Sequence, residues 1–522
     1  MNIMEKEKWT INYIRFGEWK NKGMKKTFNQ LKEDRAKNNL YIFGAMLIFT
    51  IIICSNFFKV HFAQDTYCVY VDGYDNYIHH FLMLGRVFSA LQIWLTKVLN
   101  IPFETMIVLS SVISMFLFAV TWFMLYKFTM KLIKKENNIL IAGIIFPILF
   151  NFCTFETMIF VESSVMALSI FLSVLSACIY TSDIKNKNIY AFTILAISAL
   201  CYQTSASLFV LISLVFIAYK NKDNIKEIFK KSIGVFLFWG FSMLISLALT
   251  KIMEAHFQTV DRATTLLTIN EMINTFIRFG KALVLENLSI GPEGWYLAFI
   301  AILSIIFIIR VIKTKKYFHI FEYIVLILVA CLLPLLPLIV IPISSQYIES
   351  RMAMSFGAIL GVILLYLTIV MKKDIEIKDF TDKIVCLIVI VLFAINSIYF
   401  IRASSENMAT GYIDRNVAMS ILEQISEYEK ENNVKVENIV IGYDANPTTY
   451  YDGQLKLRSS TARGMATNFA VIQTLKYYSG KDYNATYEAP KEIQEKFSQL
   501  NWDYYSDEQL FFDGNTLYLC IY

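Results

Sequence analysis

The sequence predicts an all-α polytopic membrane protein of about eleven transmembrane helices, followed by a small C-terminal α/β domain. Hydrophobic residues make up 56% of the 522-residue chain and charged residues only 17%, and the mean hydropathy is +0.49. Soluble domains carry about 25% charged residues, so this balance excludes an ordinary soluble fold. Apolar runs that could cross a bilayer recur up to residue 401, and the composition becomes polar from residue 402 onward.

Lysines between the apolar runs predict how those runs are oriented. If residues 1–39 form a basic cytoplasmic segment, the next inward loops carry clusters such as Lys134 and Lys135, whereas the outward turns near 154 and 203 carry none. The net charge of +5 therefore comes from lysines that orient the spans, and no nucleic-acid partner is expected. The runs are 40–58, 105–127, 139–153, 157–180, 189–202, 204–219, 233–250, 294–310, 321–342, 353–371 and 384–401.

This topology divides the chain into three parts. After the N-terminal segment 1–39, a transmembrane domain covers residues 40–401, with long outward loops at 59–104 and 251–293. Residues 402–522 form an extracytoplasmic domain. In this domain the pattern predicts helices over 415–431 and 464–478 and a strand over Asn438–Tyr443. The first outward loop contains an amphipathic stretch, 81–99, which is expected to lie on the outer leaflet.

Three acids follow the first apolar run closely. Asp72 and Asp75 are three residues apart, and a carboxylate at the outer membrane surface can act as a general base toward a hydroxyl group. Asp65, closer to the run, is expected to be a bystander. The alternatives are that the pair are solvated loop acids, or that they bind a metal with His79 and His80. No cofactor or metal is predicted, because adjacent histidines on a helix point apart.

Other candidate site residues lie at the outer ends of the predicted spans. Arg86 and Arg351 carry guanidinium groups suited to binding the phosphate of a lipid, although arginines at span ends commonly only anchor the helix. Glu156, Glu162 and Gln203 are expected to line a substrate site. For Glu162 a structural hydrogen bond to a neighbouring helix is an equal alternative, and Glu156 could be merely interfacial.

The arrangement resembles the bacterial type II O-antigen glucosyltransferases, the Gtr group within the GT-C class of membrane glycosyltransferases. The resemblance is sharpest over residues 67–101, where the paired acids precede Gly85-Arg86 and an apolar helix, and weaker over Tyr202-Gln203-Thr204-Ser205 and Glu349-Ser350-Arg351. Such families usually have adjacent acids, whereas here two residues separate Asp72 from Asp75, so either could be the base.

The resemblance implies a GT-C-like fold and a hexosyltransferase of the bacterial cytoplasmic membrane. A hexose such as glucose would pass from a polyprenyl-phosphate carrier to a cell-envelope glycan on the outer side. The implied partners are the lipid-linked donor, the glycan acceptor and the bilayer. Two alternatives stay open: a flippase or transporter of lipid-linked glycans, which would need charged residues along a path through the membrane, and a glycan polymerase.

Overall fold

The computed structural model describes residues 37–135, 138–222, 224–257, 268–281, 295–334, 336, 349–371, 380–448, 451, 461–502 and 504–522. Most of the basic segment 1–39, part of the loop 251–293 and part of the run 321–342 lie outside the described residues. Within these ranges the chain is mostly helical, as predicted, and has a small sheet near its C-terminal end.

Apolar helices form the first part of the structure. Among the described residues, seven helical segments are long and apolar enough to cross a membrane, and an eighth is possible if two short helices bent by 57° count as one. Many small hydroxyl residues, such as Ser169 and Ser198, hydrogen-bond across helix contacts in this region (Oγ–Oγ 3.1 Å). The helices of this part are α1 Lys37–Ile53, α5 Phe103–Leu132, α6 Ile139–Leu149, α7 Phe152–Phe155, α8 Ser163–Tyr180, α9 Lys187–Cys201, α10 Ser207–Lys220, α11 Ile225–Phe257, α12 Ile269–Lys281, α13 Trp295–Thr314, α14 Phe318–Leu332 and α15 Met354–Ile369.

The count of eleven spans remains a prediction. Three shorter apolar helices, α1, α9 and α14, coincide with predicted runs and have only 15 to 17 residues each. The run predicted over 157–180 is broken, because the chain turns at Phe160 to Glu162 before α8 begins at Ser163. The bent pair α6 and α7 ends at this turn, which leaves irregular backbone and polar side chains at one end of the helix bundle.

The first long loop folds into three short helices, α2 Gln64–Val71, α3 Tyr74–Met83 and α4 Val87–Val98. The amphipathic stretch predicted over 81–99 is therefore interrupted before α4. Gly85 makes the turn with φ +69°, and a Cβ there would lie 2.7 Å from Thr250 Oγ1 of α11. Only glycine satisfies both the backbone angle and this close approach. The turn fixes the position of Arg86 at the start of α4.

The C-terminal part combines one long helix with a four-stranded sheet. Helix α16, Phe380–Asn432, runs unbroken past residue 402, so the predicted domain boundary falls within a helix. The strand predicted at Asn438–Tyr443 is confirmed as β1, which pairs in parallel with β2 and β4, while β3 is antiparallel to β4. The sheet order is β2-β1-β4-β3. The remaining elements are α17 Asn468–Ser479, β2 Asn484–Thr486, α18 Lys491–Phe497, β3 Leu510–Asp513 and β4 Thr516–Ile521.

Helix α17 packs this C-terminal part onto α2. Thr467 Oγ1 donates a hydrogen bond to Gln64 Oε1 (3.0 Å) at the first residue of α2, and the hydroxyls of Tyr67 and Tyr478 are 3.3 Å apart. Tyr67 is almost fully buried in this contact. The C-terminal part therefore helps to hold the short helix that follows the first apolar helix.

Candidate functional site

A cavity of about 290 Å³ lies where the first loop, the break before α8 and the segment before α15 meet. Its volume is at the lower end of the range for small-molecule sites. Charged and aromatic side chains from five separate parts of the chain converge on it. Its wall is formed by Gln64, Asp65, Thr66, Val69, Tyr77, His80, Phe81, Leu84, Arg86, Phe160, Val161, Glu162, Met166, Glu349, Arg351 and Phe469.

Arg351 is held on one side of the cavity by a buried carboxylate. Its backbone N–H donates to Glu156 Oε2 (2.7 Å), and its guanidinium Nη1 donates to Glu156 Oε1. The guanidinium also lies over the ring of Phe160, 4.4 Å from the centroid. Thr204 Oγ1 donates to the carbonyl of Arg351 (3.0 Å). The arginine is thus positioned by charge, ring contact and backbone hydrogen bonds, while its side chain keeps 21% exposure.

Arg86, a second arginine of the cavity wall, is held in a similar way. Its Nη1 lies 3.8 Å from Glu162 Oε1, and its guanidinium lies over the ring of Tyr202, 4.7 Å from the centroid. Gln203 supports this arrangement from outside the cavity, because its Nε2 donates to the carbonyl of Leu84 (2.7 Å) and to Ser246 Oγ (3.0 Å). Gln203 therefore fixes the turn that precedes Arg86.

Asp65 brings a carboxylate to the same cavity as these arginines. It lies in the first turn of α2 and is half-buried. Among the described residues, its carboxylate makes no hydrogen bond. Burial raises the pKa of Asp65, although the positive charges of Arg351 and Arg86 oppose the rise. A carboxylate with a raised pKa and free oxygens is suited to accept a proton.

Glu349 is a second carboxyl group whose environment favours its neutral form. Burial and the neighbouring charge of Glu156 raise the pKa of Glu349 to about 8, against the attraction of Arg351 at 3.9 Å. Burial likewise raises the pKa of Glu162, with Arg86 opposing it. The cavity therefore places an ionisable acceptor, Asp65, close to a carboxyl group that can donate a hydrogen bond at neutral pH.

The two acids singled out from the sequence lie outside this cavity. Asp72 caps the C-terminal end of α2 and is exposed, and its Oδ1 accepts a hydrogen bond of 3.4 Å from Gln473. The carboxylate of Asp75, 77% exposed, binds Lys97 Nζ through both oxygens at 2.7 Å. Asp72 follows Asp65 by seven residues, about 10 Å along a helix, which carries it away from the cavity.

The structure thus brings Arg86, Glu162 and Arg351 to one wall, with Glu156 and Gln203 behind it. The sequence analysis set Asp65 aside as a bystander, considered His80 only as a metal ligand and named Glu349 only within the weak resemblance. A signal for Asp65 existed in the helical spacing that it shares with Thr66 and Val69, which lie together on the face of α2 toward the cavity. The weak resemblance over residues 202–205 and 349–351 also pointed to this place, since both segments lie around it.

Histidines near the site do not form a ligand set with the acids. His79 packs edge-on against Phe257, with ring centroids 4.1 Å apart, while His80 lines the cavity. No group of three or more His, Cys, Asp or Glu residues that could hold a metal ion occurs among the described residues. The described side chains bring together one carboxylate without a hydrogen-bond partner among them, two guanidinium groups and a carboxyl group whose pKa is raised.

Comparison with known proteins supports the resemblance seen in the sequence. The family model described as Glucosyl transferase GtrII matches residues 54–361, more than half of the chain. The match covers every residue of the cavity wall except Phe469, which comes from α17. Neither a curated protein nor a solved structure matches the chain significantly.

Proposed function

The chain belongs to the glucosyl transferase GtrII family and is a multi-pass membrane glycosyltransferase, and we propose that it uses a polyprenyl-phosphate-linked glucose as donor. The observation that carries this proposal is the convergence of Asp65, Arg86 and Arg351 on one cavity at the end of the helix bundle. A lipid-linked donor suits that place, because its tail can stay among the helices while its phosphate meets the guanidinium groups.

The proposed reaction is a direct displacement at the anomeric carbon. The acceptor hydroxyl oxygen forms the new bond to that carbon, and the hydroxyl proton passes to the carboxylate of Asp65. The bond from the anomeric carbon to the phosphate oxygen breaks, and its electron pair leaves with the polyprenyl phosphate. Asp65 replaces Asp72 and Asp75 as the proposed base, since its carboxylate faces the cavity and theirs do not.

Arg86 and Arg351 are the proposed phosphate ligands. Negative charge grows on the leaving phosphate during the reaction, so cations held in place beforehand stabilise the transition state more than the ground state. Glu162 and Glu156 position these arginines by the contacts described above. Glu349, in its neutral form, would donate a hydrogen bond to a sugar hydroxyl or to a phosphate oxygen.

We further propose that the site faces the outer side of a bacterial cytoplasmic membrane and that the acceptor is a cell-envelope glycan. The alternation of lysine-rich loops supports this orientation, with residues 1–39 cytoplasmic, residues 40–401 forming the membrane domain and residues 402–522 outside. A flippase is disfavoured because family membership supports an enzyme. Arg310 and Asp382, which are buried among the helices, also form an ion pair with each other (2.8 Å), and this pairing is a second argument against a flippase.

A donor competition tests this function. The full chain in proteoliposomes is incubated with an extract of envelope glycans and with glucose labelled either on polyprenyl phosphate or on UDP. We expect label to enter the glycan from the lipid-linked donor alone, with release of polyprenyl phosphate. Transfer from UDP-glucose in liposomes free of polyprenyl phosphate would overturn the donor assignment.

A further inference from the structure

A second concave region lies behind helix α2, on the side away from the catalytic cavity. It has a volume of about 730 Å³, within the range of about 300 to 1,000 Å³ found for small-molecule sites. α2 separates the two spaces, because Asp65 and Val69 face the cavity whereas Tyr70 faces this groove. The rest of the groove comes from residues 59–62 before α2, from the start of α5, from α16 and from α17.

The groove combines aromatic rings with planar polar groups. Tyr70 and Tyr412 are 48% and 55% exposed, and Tyr477 lies edge-on to Tyr70 with ring centroids 5.1 Å apart. Glu104 lies beside them and accepts a hydrogen bond from the Tyr477 hydroxyl (2.9 Å), and exposed Arg415 lines the same space. Sugar rings present apolar C–H faces edged by hydroxyl groups, which match exposed rings flanked by carboxylate and guanidinium groups.

The position of Tyr412 distinguishes this surface from a membrane-interface belt. The apolar part of α16 ends near Ile401, where Arg402 pairs with Glu406 (2.7 Å). Tyr412 follows eleven residues later, about 16 Å further along the helix at 1.5 Å per residue. The interfacial layer adds only about 5 to 8 Å on each side of the hydrocarbon core, so an α16 that runs close to the membrane normal carries Tyr412 beyond the depth at which belt tyrosines sit.

We propose that this groove, lined by Tyr70, Glu104, Tyr412, Arg415 and Tyr477, is a carbohydrate-binding subsite for a stretch of the glycan acceptor away from the reacting hydroxyl. This inference rests on the proposed transfer to a glycan. When one long glycan contacts both the catalytic cavity and the groove, its second contact becomes intramolecular. The groove therefore increases the affinity for long acceptors without contacting the reacting atoms.

The test is direct binding of the purified full chain to an array of bacterial surface polysaccharides and their short fragments. We expect the wild type to bind at least one polysaccharide and Tyr412→Ala to weaken that binding about three- to tenfold, the value of one aromatic contact. Tyr412→Phe keeps the ring and should bind within about twofold of wild type. Tyr504→Ala removes a tyrosine that is 71% exposed but lies outside the groove, and should change nothing.

The binding test is independent of catalysis. Asp65→Asn should bind the same polysaccharide as the wild type, so a failed donor assay leaves this result intact. Equal binding by wild type and Tyr412→Ala, or no binding of the wild type to any glycan on the array, would overturn the proposal. Phospholipid retained by the wild type and lost in Tyr412→Ala, seen by native mass spectrometry, would instead identify a lipid site.

Discussion

Replacing Asp65 with asparagine is the most direct test of the proposed chemistry. The side chains have nearly the same shape, and the Asp65 carboxylate makes no hydrogen bond among the described residues, so the fold should be little affected. Loss of a general base costs about 10²- to 10⁴-fold in rate, or about 3 to 5 kcal/mol of transition-state stabilisation. We therefore expect kcat to fall by this factor in Asp65→Asn.

The donor KM should not rise in Asp65→Asn. Asparagine removes a negative charge beside Arg86 and Arg351, so the cavity becomes more positive and binds a phosphate at least as well. The assay is transfer of labelled glucose from polyprenyl phosphate in proteoliposomes, with kcat and donor KM measured separately. Thermal unfolding of each variant provides the control for folding.

The pH dependence gives a second readout of the same residue. A base acts only when ionised, so kcat/KM should fall as the pH decreases through the pKa of Asp65, which burial raises above its ordinary value. Asp72→Asn and Asp75→Asn are matched controls on the same loop and should stay within about twofold of wild type. Near-normal kcat in Asp65→Asn, together with a large loss in either control, would refute the assignment.

Three further predictions concern the wall of the cavity. Arg351→Ala should raise the donor KM and lower the free energy of unfolding by about 3 to 5 kcal/mol, because it leaves the charge of Glu156 buried without its partner. If the double variant Arg351→Ala with Glu156→Gln regains both stability and normal donor use, Arg351 has only a structural role. Gly85→Ala should lower the Tm more than Gly73→Ala, since both have positive φ but only at Gly85 does a Cβ meet α11, and equal Tm values would contradict this. Activity should begin to fall as the pH rises past about 8, where Glu349 loses its proton. Glu349→Gln should abolish this fall. An unchanged fall in the variant would exclude the Glu349 carboxyl as the hydrogen-bond donor.

Periodicity and composition predicted much of the architecture. The run of β-branched residues within Asn438–Tyr443, followed by turn signals, predicted β1 at its observed bounds, because Ile and Val favour strands. The same reasoning missed the continuity of α16, since the chain changes from apolar to polar near residue 402 while its helical hydrogen bonds continue. The composition of a helix reflects its surroundings, membrane or water, and these surroundings can change along a single helix.

The span count could not be obtained from hydropathy alone for a related reason. Helices α9 and α14 have only 15 residues each, and the run over 157–180 contains a turn at Phe160 to Glu162. A turn within an apolar run is tolerated where it lines a cavity, because other side chains then satisfy its backbone. Asn151 does this at the preceding bend, where its Oδ1 accepts from the N–H of Cys153 (3.0 Å).

The charge balance of the cavity explains why its base was hard to identify from sequence. Four carboxyl groups lie near the guanidinium groups of Arg351 and Arg86. They belong to Asp65, Glu156, Glu162 and Glu349. Two of these acids are occupied in positioning the arginines, and burial keeps Glu349 near its neutral form. Among the described residues, Asp65 is the one of these four acids that forms no ion pair with an arginine, which leaves its carboxylate able to accept a proton. Which carboxylate pairs with which cation depends on contacts between segments up to 286 residues apart, as from Asp65 to Arg351, and neither the spacing nor the type of the acids encodes those contacts.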